Sequence, residues 1–348
     1  MANETTNTLP LLRDLSPADI DQLVYDLQLP KFRGKQITEW AWKRAATSYD
    51  DMTNLPKTLR AQLAERYSVD APRELRRQTS RLDGTRKYLL GFADGKQVEC
   101  VGMPGGRGRL AACVSTQAGC AMGCAFCATG KSGLVGSLTS GQIYDQVMHI
   151  AEDFGQRVTS VVFMGQGEPF ANYDATLRAL RWLNSEQGAG IGARHLTVST
   201  CGLLPGIHAF AAEPEQFTLA VSLHSAVQAT RDMLMPGVRR YSLVHLRAAL
   251  REYVEATGRR PTYEYALIGG INDTREHMEA LVQFCQGDLC HVNLIQLNEV
   301  SGSNFKPSTA EKADEFVRRL AAVGVEATVR DSRGPDIDAA CGQLRQRS

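Results

Sequence analysis

Gln117-Ala-Gly-Cys120-Ala-Met-Gly-Cys124-Ala-Phe-Cys127-Ala-Thr-Gly130 is the most constrained stretch of the chain. Three thiols fall within eight residues at spacing CxxxCxxC, in a loop whose glycines let the backbone wrap around something compact. Soft thiolates select zinc or an iron-sulfur cluster. A structural zinc site takes four ligands, and no fourth Cys or His lies nearby in the sequence. An iron-sulfur cube also takes four Cys as a rule, so three leave one iron open to another ligand. Phe126, just before the last thiol, would shield such a centre. Three unliganded cysteines at this spacing have no packing rationale.

Residues 110–115, just before the loop, form a buried-strand candidate, and from there strand and helix alternate. Further strand candidates are residues 159–164, 195–199, 217–223, 262–267 and 291–297. A Thr139/Gln142 capping-box pair opens a helix over 139–154 with Ile143, Val147, Ile150 and Phe154 on one face. A second amphipathic helix covers 242–257 through Leu243, Leu246, Leu250 and Tyr253. A third opens on a Ser308/Glu311 pair and continues through Ala313, Phe316, Val317 and Leu320. Six strand-then-helix units in series predict an α/β fold, a parallel sheet curled into a partial or complete barrel, the partial (β/α)6 form being the expectation carried forward. Sites in such barrels lie at the carboxyl ends of the strands.

Upstream, residues 11–67 read as a small helical module. Ser16 caps a helix over 16–27 that has Pro17 at its first position and Ile20, Leu23, Val24 and Leu27 at helical spacing. A second helix is predicted over 34–46 and a third after Pro56. Lys31, Arg33, Lys35, Lys43 and Arg44 are either a solvated face or an RNA-contacting one. From Glu74 to about Gly102, short alternating stretches separated by Asp83-Gly84 and Asp94-Gly95 read as hairpins. The expected division is a helical RNA-binding-type domain over 1–72, a small β extension over 73–105, the barrel over 106–336 and a tail over 337–348.

The chain has 348 residues, 43% hydrophobic and 22% charged, the composition of a soluble globular protein rather than a disordered or fibrous one. Net charge is +1, which removes the simplest argument for a nucleic-acid partner. Residues 73–87, however, hold six Lys/Arg against Glu74 and Asp83, a local net of +4 that can bind phosphates. The start lacks signal-peptide features and no apolar run approaches a membrane span, so a cytoplasmic protein without membrane association is expected. Thiols stay reduced there, and clustered members among the nine cysteines point to metal or redox chemistry rather than to a disulfide framework.

The loops after the strands carry the remaining candidates. The second strand runs into Gly165-Gln166-Gly167-Glu168-Pro169, where small residues allow close backbone approach and Glu168 offers an acceptor for an ammonium group. Ser199, then Ser222-Leu223-His224, end the third and fourth strands with groups suited to ribose and carboxylate recognition. Asn298 follows the sixth.

CxxxCx(aromatic)C after the first strand of a β/α barrel resembles the radical S-adenosylmethionine (SAM) superfamily. That resemblance implies a radical SAM barrel holding one 4Fe-4S cluster on Cys120, Cys124 and Cys127, with SAM chelating the open iron and being cleaved to a 5′-deoxyadenosyl radical. Nearly the whole chain further resembles the RlmN/Cfr family of adenosine methyltransferases. The matching segments include Arg33-Gly-Lys-Gln-Ile37, Asp51-Met-Thr-Asn-Leu-Pro56, Gln97-Val-Glu99, Ser222-Leu-His224 and Arg333-Gly-Pro-Asp336-Ile-Asp-Ala-Ala-Cys341-Gly-Gln-Leu344. The resemblance implies that one SAM methylates Cys341. A second generates the radical that converts the S-methyl group to a methylene radical, which adds to the adenine. Glu99 then removes the ring proton and Cys113 releases the product through a transient disulfide. It assigns SAM contacts to Gly167, Glu168, Ser199, Ser222, Leu223, His224 and Asn298.

Carbon 2 of an adenosine in 23S rRNA, at the peptidyl-transferase centre, is the expected target, with the adenosine beside the anticodon of tRNA as a second. The electron donor is expected to be a flavodoxin or ferredoxin. Rival readings are a Cfr-type carbon-8 enzyme, a radical SAM enzyme acting on a protein or small molecule, and a zinc-stabilised RNA-binding protein. Cys100, Cys201, Cys285 and Cys290 are expected as core hydrophobes. Gln166 and the run Ile295-Gln-Leu-Asn-Glu299 depart from the common family pattern.

Overall fold

The computed structural model describes residues 9–298 and 303–344. Glu299 therefore lies outside the described residues. The described chain begins with α1 (Pro17–Asp26), α2 (Phe32–Thr38) and α3 (Lys57–Ala64). The Ser16 capping box is present, Ser16 and Asp19 each satisfying the other's backbone N–H, with Pro17 at the first helical position. The helix expected over 34–46 is shorter: α2 ends at Thr38 and the chain widens into a π-helical turn over Glu39–Lys43. That turn buries both Trp40 and Trp42.

Next come β1 (Arg73–Thr79), β2 (Arg86–Gly91), β3 (Gln97–Gly105) and β4 (Arg109–Cys113), then the short pair β5 (Gln117–Gly119) and β6 (Leu134–Ser137). The remaining strands are β7 (Ser160–Phe163), β8 (Leu196–Thr200), β9 (Thr218–Ser222), β10 (Thr262–Leu267), β11 (His291–Gln296) and β12 (Glu326–Arg330). All but β5 and β6 form one ten-stranded sheet in the order β1-β2-β3-β4-β7-β8-β9-β10-β11-β12. The first three strands are antiparallel extensions joined to β4, and every pair from β4 onward is parallel. The six expected strands are all present. β12 adds a seventh parallel strand at the open edge, hidden in the sequence because its mostly exposed residues form no apolar run.

Eight helices accompany the barrel: α4 (Ala128–Lys131), α5 (Ser140–Phe154), α6 (Tyr173–Asn184), α7 (Leu204–Ala211), α8 (Gln228–Leu234), α9 (Leu243–Thr257), α10 (Arg275–Cys285) and α11 (Ala310–Ala321). The Thr139/Gln142 capping box opens α5 as expected. The α11 cap lies one residue later than expected: Thr309 accepts from the Lys312 N–H, while the Ser308 hydroxyl donates to Asp273 at 2.7 Å. The strands alternate as a barrel requires. On β10, Tyr263, Tyr265 and Leu267 enter the main core, while Glu264 and Ala266 face the lumen.

The N-terminal module shares that core. Trp42 stacks on Trp182 of α6 at 4.2 Å between ring centroids and meets Tyr144 of α5 edge-on at 5.0 Å. The Tyr144 hydroxyl donates to the Trp42 carbonyl at 2.8 Å. Each such aromatic pair contributes about 0.5–1.5 kcal/mol beyond the area it buries. Arg13 pairs with Asp145 of α5 at 2.7 Å, both almost wholly buried.

Candidate active site

A cavity opens at the carboxyl ends of the parallel strands. Cys120, Cys124 and Cys127 line it together with Gly167, Glu168, Ser199, Ser222, His224, Asn298 and Cys341. Of the residues expected to contact the cofactor, Leu223 alone does not line it. Leu223 is buried in the main core, and its N–H donates to the Glu264 carbonyl at 2.9 Å.

The cluster loop is held by backbone bonds: the Cys120 N–H donates to Gly133, the Ala125 N–H to Leu234 and the Ala128 N–H to Gly342. Burial pushes the Cys120 thiol up to about 11, and the Cys124 thiol rises too, from burial and from the neighbouring thiols. These thiols stay protonated near neutrality unless a cationic centre displaces their protons. Three soft donors lining one cavity together with polar groups fit a three-cysteine iron-sulfur cluster. Among the described residues, no three His, Cys, Asp or Glu side chains are arranged to hold a single metal ion.

Gly167 has φ +97°, and a Cβ there would lie 2.6 Å from the Gln117 side chain. Only glycine permits that turn with β5 pressed against it. It orients Glu168, whose carboxylate accepts from the Phe170 N–H at 3.0 Å and the Cys201 N–H at 2.8 Å. Burial raises the Glu168 pKa, while these hydrogen bonds oppose the rise. The family-departing Gln166 is buried, its backbone tied to Ser115, Thr116 and Gln117 and its side-chain oxygen unpartnered.

His224 takes the left-handed conformation, φ 52°. Its Nδ1 accepts from the Ala266 N–H at 3.0 Å, and burial with the nearby Arg231 cation pushes its pKa down to about 3. The ring is therefore neutral, with Nε2 carrying the proton as a donor. Phe126 packs edge-on against it at 4.6 Å.

The two proposed sulfur partners meet in an adjoining pocket. Cys113 and Cys341 line it together with Met164, Asn298 and Arg330. Alternation on β4 sends Leu110 and Ala112 into the main core and Cys113 to the opposite face, where it packs with Val101, Ile337, Ala339 and Leu344. Burial pushes the Cys113 thiol up to about 12, and Arg330 opposes this. Cys341 is exposed as a residue, yet its packed surroundings raise the thiol pKa and Arg330 again works against them. The tail is docked by the Asn298 amide to the Cys341 carbonyl at 3.3 Å and the Thr129 hydroxyl to the Leu344 carbonyl at 2.6 Å.

Glu99 is not in either pocket. It lies with Arg76, Lys87, Asp338 and Gln343 in a third, 3.3 Å from the Lys87 ammonium. Lys87 also donates to the Asp338 carbonyl at 3.0 Å. The Ser115 hydroxyl donates to the Glu99 carbonyl at 2.6 Å and accepts from the Gln166 N–H, linking β3 to the GxGEP loop.

Three functional candidates escaped the sequence reading. Glu264 faces the lumen with its pKa pushed up to about 7 by burial, against Arg330 and the Asn293 amide. The alternation in Tyr263-Glu-Tyr265 was the signal that could have found it. Arg330 sits on the strand without an apolar run, and Arg231 sits inside α8. Cys201, expected as a core hydrophobe, is buried but lines the cavity beside Glu168, whereas Cys100, Cys285 and Cys290 belong to the core. The basic stretch 73–87 is partly spent internally: Arg77 and Arg86 both pair with Asp153, and Lys87 pairs with Glu99. Arg73, Arg76 and Arg81 stay exposed.

A cysteine-rich loop following the first parallel strand of an open β/α barrel, over a cavity at the strand ends, defines the radical SAM class. Residues 114–285 match the family model of the radical SAM superfamily. Residues 11–69 match that of the ribosomal RNA large subunit methyltransferase N-terminal domain. The chain is 45% identical over 337 residues to a probable dual-specificity RNA methyltransferase RlmN from Pelotomaculum thermopropionicum, covering 97% of this chain and 91% of that one. It is 45% identical over 347 residues to the protein of the same description from Desulforamulus reducens, covering 100% and 99%. The crystal structure of a radical SAM methyltransferase from Sphaerobacter thermophilus superposes with a TM-score of 0.91 at 46% identity, covering 97% of this chain and 99% of that one. The chain belongs to the RlmN family of radical SAM RNA methyltransferases. Membership implies a 4Fe-4S cluster, SAM and an RNA substrate. No helix among the described residues is long and apolar enough to cross a membrane.

Proposed function

We propose that this enzyme methylates carbon 2 of an adenosine in 23S rRNA, at the peptidyl-transferase centre, and of the adenosine beside the anticodon in tRNA, consuming two SAM per turnover. The dual-specificity description of its relatives supports two RNA substrates. The observation that carries the chemistry is the shared pocket of Cys341 and Cys113, which adjoins the cavity lined by the three cluster cysteines.

Cys120, Cys124 and Cys127 would hold the cluster, whose chemistry is the reductive cleavage of SAM. Glu168 would accept from the SAM ammonium, Ser199 and Ser222 would hydrogen-bond its polar groups, and the neutral His224 would donate from Nε2. Gly167 would leave room for the ligand, and Leu223 and Asn298 would act through backbone and amide. Cys341 carries the methyl group as an S-methylcysteine. Its thiol must first lose a proton, and Arg330 favours that loss. Once the S-methyl carbon is bonded to the adenine ring, Glu99 takes the ring proton. Because Glu99 lines neither pocket that holds Cys341 and shares its own with Asp338 and Gln343, this role requires residues 338–343 to shift when RNA enters. The Cys113 thiolate then attacks the Cys341 sulfur, the sulfur–carbon bond breaks with its electron pair passing to the carbon, which takes a proton to complete the new methyl group, and a Cys113–Cys341 disulfide remains. Exposed Lys31, Lys35 and Lys43 on the module, with Arg73, Arg76 and Arg81, would meet RNA phosphates. A low-potential flavodoxin or ferredoxin would supply electrons in a cytoplasmic setting.

Mass spectrometry of digested rRNA and tRNA from cells with and without the gene tests this reading. Loss of 2-methyladenosine from both RNAs is expected. Loss of 8-methyladenosine instead, or no change in either RNA, overturns it. Cys341→Ala should abolish methylation, and a variant that keeps turnover would remove the S-methylcysteine from the scheme.

A further inference from the structure

Arg231 on α8 is one of the largest side chains fully removed from solvent, only 1% exposed. Among the described residues it makes no ion pair. One of its terminal nitrogens donates to the Cys201 carbonyl at 2.7 Å and reaches the Ser222 carbonyl at 3.5 Å, and its Nε has no partner. Burying a guanidinium against two carbonyls with a donor left over is costly. Such a charge makes sense where the missing anion is something the chain binds.

The surroundings of Arg231 say where that anion sits. The carbonyl of Leu234, at the end of α8, accepts from the Ala125 N–H at 2.9 Å, and the Gly237 N–H donates to the Met122 carbonyl at 3.0 Å. Leu234 and Met235 pack with Met122, Cys124 and Phe126. The cluster loop therefore rests on the segment that carries the cation. A Cβ at Gly202 would come within 3.0 Å of the guanidinium, so the glycine keeps the charge close to the β8 loop that bounds the cavity. The positive field of Arg231 reaches Cys124 and Cys201.

We propose that Arg231 is the buried counter-cation of the iron-sulfur cluster, a positioning residue that makes it easier to reduce. Three thiolates outweigh the positive charge of an oxidised cluster core, so the bound centre is anionic. One electron from a low-potential donor makes it more so, without breaking a bond. A fixed cation behind the cluster loop, in a poorly screened interior, favours the more negative state. This inference rests on the cluster reading above and adds a residue outside the cysteine motif.

The test uses full-length wild type, R231K, R231M and R231Q, each loaded anaerobically with iron and sulfide and titrated with dithionite while the reduced cluster is followed by electron paramagnetic resonance. At the wild-type midpoint, the ratio of reduced to oxidised cluster should fall at least about tenfold in R231M and R231Q and stay close to wild type in R231K. Thermal melts before and after loading give a second readout: loading should stabilise wild type more than R231M. Neutral variants that fold but take up no iron, beside a fully loaded R231K, would equally support the role of charge. Loaded neutral variants with an unchanged midpoint would overturn the proposal. So would R231K behaving like R231M, which would make shape rather than charge the cause. Wild type that takes up neither iron nor sulfide would instead remove the cluster reading itself.

Discussion

The ammonium of Lys87 lies 3.3 Å from the carboxylate of Glu99, and both side chains are more than nine-tenths buried. A buried carboxylate deprived of its cation binds a proton more readily. Lys87→Met should therefore lower kcat/KM by at least about tenfold, whereas Lys87→Arg keeps it near wild type. An unchanged kcat/KM in the Met variant would show that Glu99 is not the base whose ionisation the reaction needs.

Cys113 and Cys341 share a pocket, and the release step assigns Cys113 the attack on the Cys341 sulfur. Cys113→Ala should leave RNA bonded to the protein. The adduct should run as a slow band on a denaturing gel and disappear after ribonuclease treatment. Free RNA and free protein alone would remove Cys113 from that role.

Glu264 makes a linkage prediction. Its folded pKa, about 7, is above the ordinary value of 4.5, so the folded state holds a proton that the unfolded state has released between those limits. Stability must fall as pH rises through that window and stay reduced above it. Glu264→Gln keeps an acceptor for Asn293 and removes the titration. It should be more stable than wild type by about 3 kcal/mol at pH 8, with the advantage fading towards pH 4.5. Thermal melts of iron-free protein at the two pH values check this, and a difference independent of pH would contradict it.

Gly167→Ala places a methyl group 2.6 Å from Gln117 at a backbone conformation that L residues avoid. Backbone strain alone costs about 1–3 kcal/mol. SAM affinity, measured by calorimetry on cluster-loaded protein, should fall at least about tenfold while the barrel stays folded. Unchanged affinity would mean that the loop relaxes away from the ligand.

Much of the fold was legible because its signals are local. The capping box at Thr139, the Ser16 cap and the apolar strand candidates all depend on neighbours a few residues away, and the structure keeps them. β12 was not legible because an edge strand needs few buried residues, and Arg330 was lost with it. The π-helical turn at Glu39–Lys43 was missed because the burial of Trp42 against Trp182, a contact across 140 residues, decides it. At the site, the loops that follow strands could be read from motif and position. The separation of Glu99 from Cys341 could not, because it depends on where a tail docks. Charge gave only half an answer: counting residues 73–87 finds six cations, but only the fold shows that Asp153 and Glu99 engage three of them.

The stacked tryptophans have a mechanical consequence. Because the N-terminal module and the barrel are one continuous core, joined by Trp42 on Trp182 and by Arg13 on Asp145, the basic face of the module cannot swing relative to the cavity without opening that core. On the proposed function, an RNA held at the module would be measured against a ruler rather than closed upon by a clamp. The adenosine that reaches Cys341 would then be chosen by the distance that a folded RNA spans between the two points, and a lengthened or shortened helix in the substrate would present the wrong base.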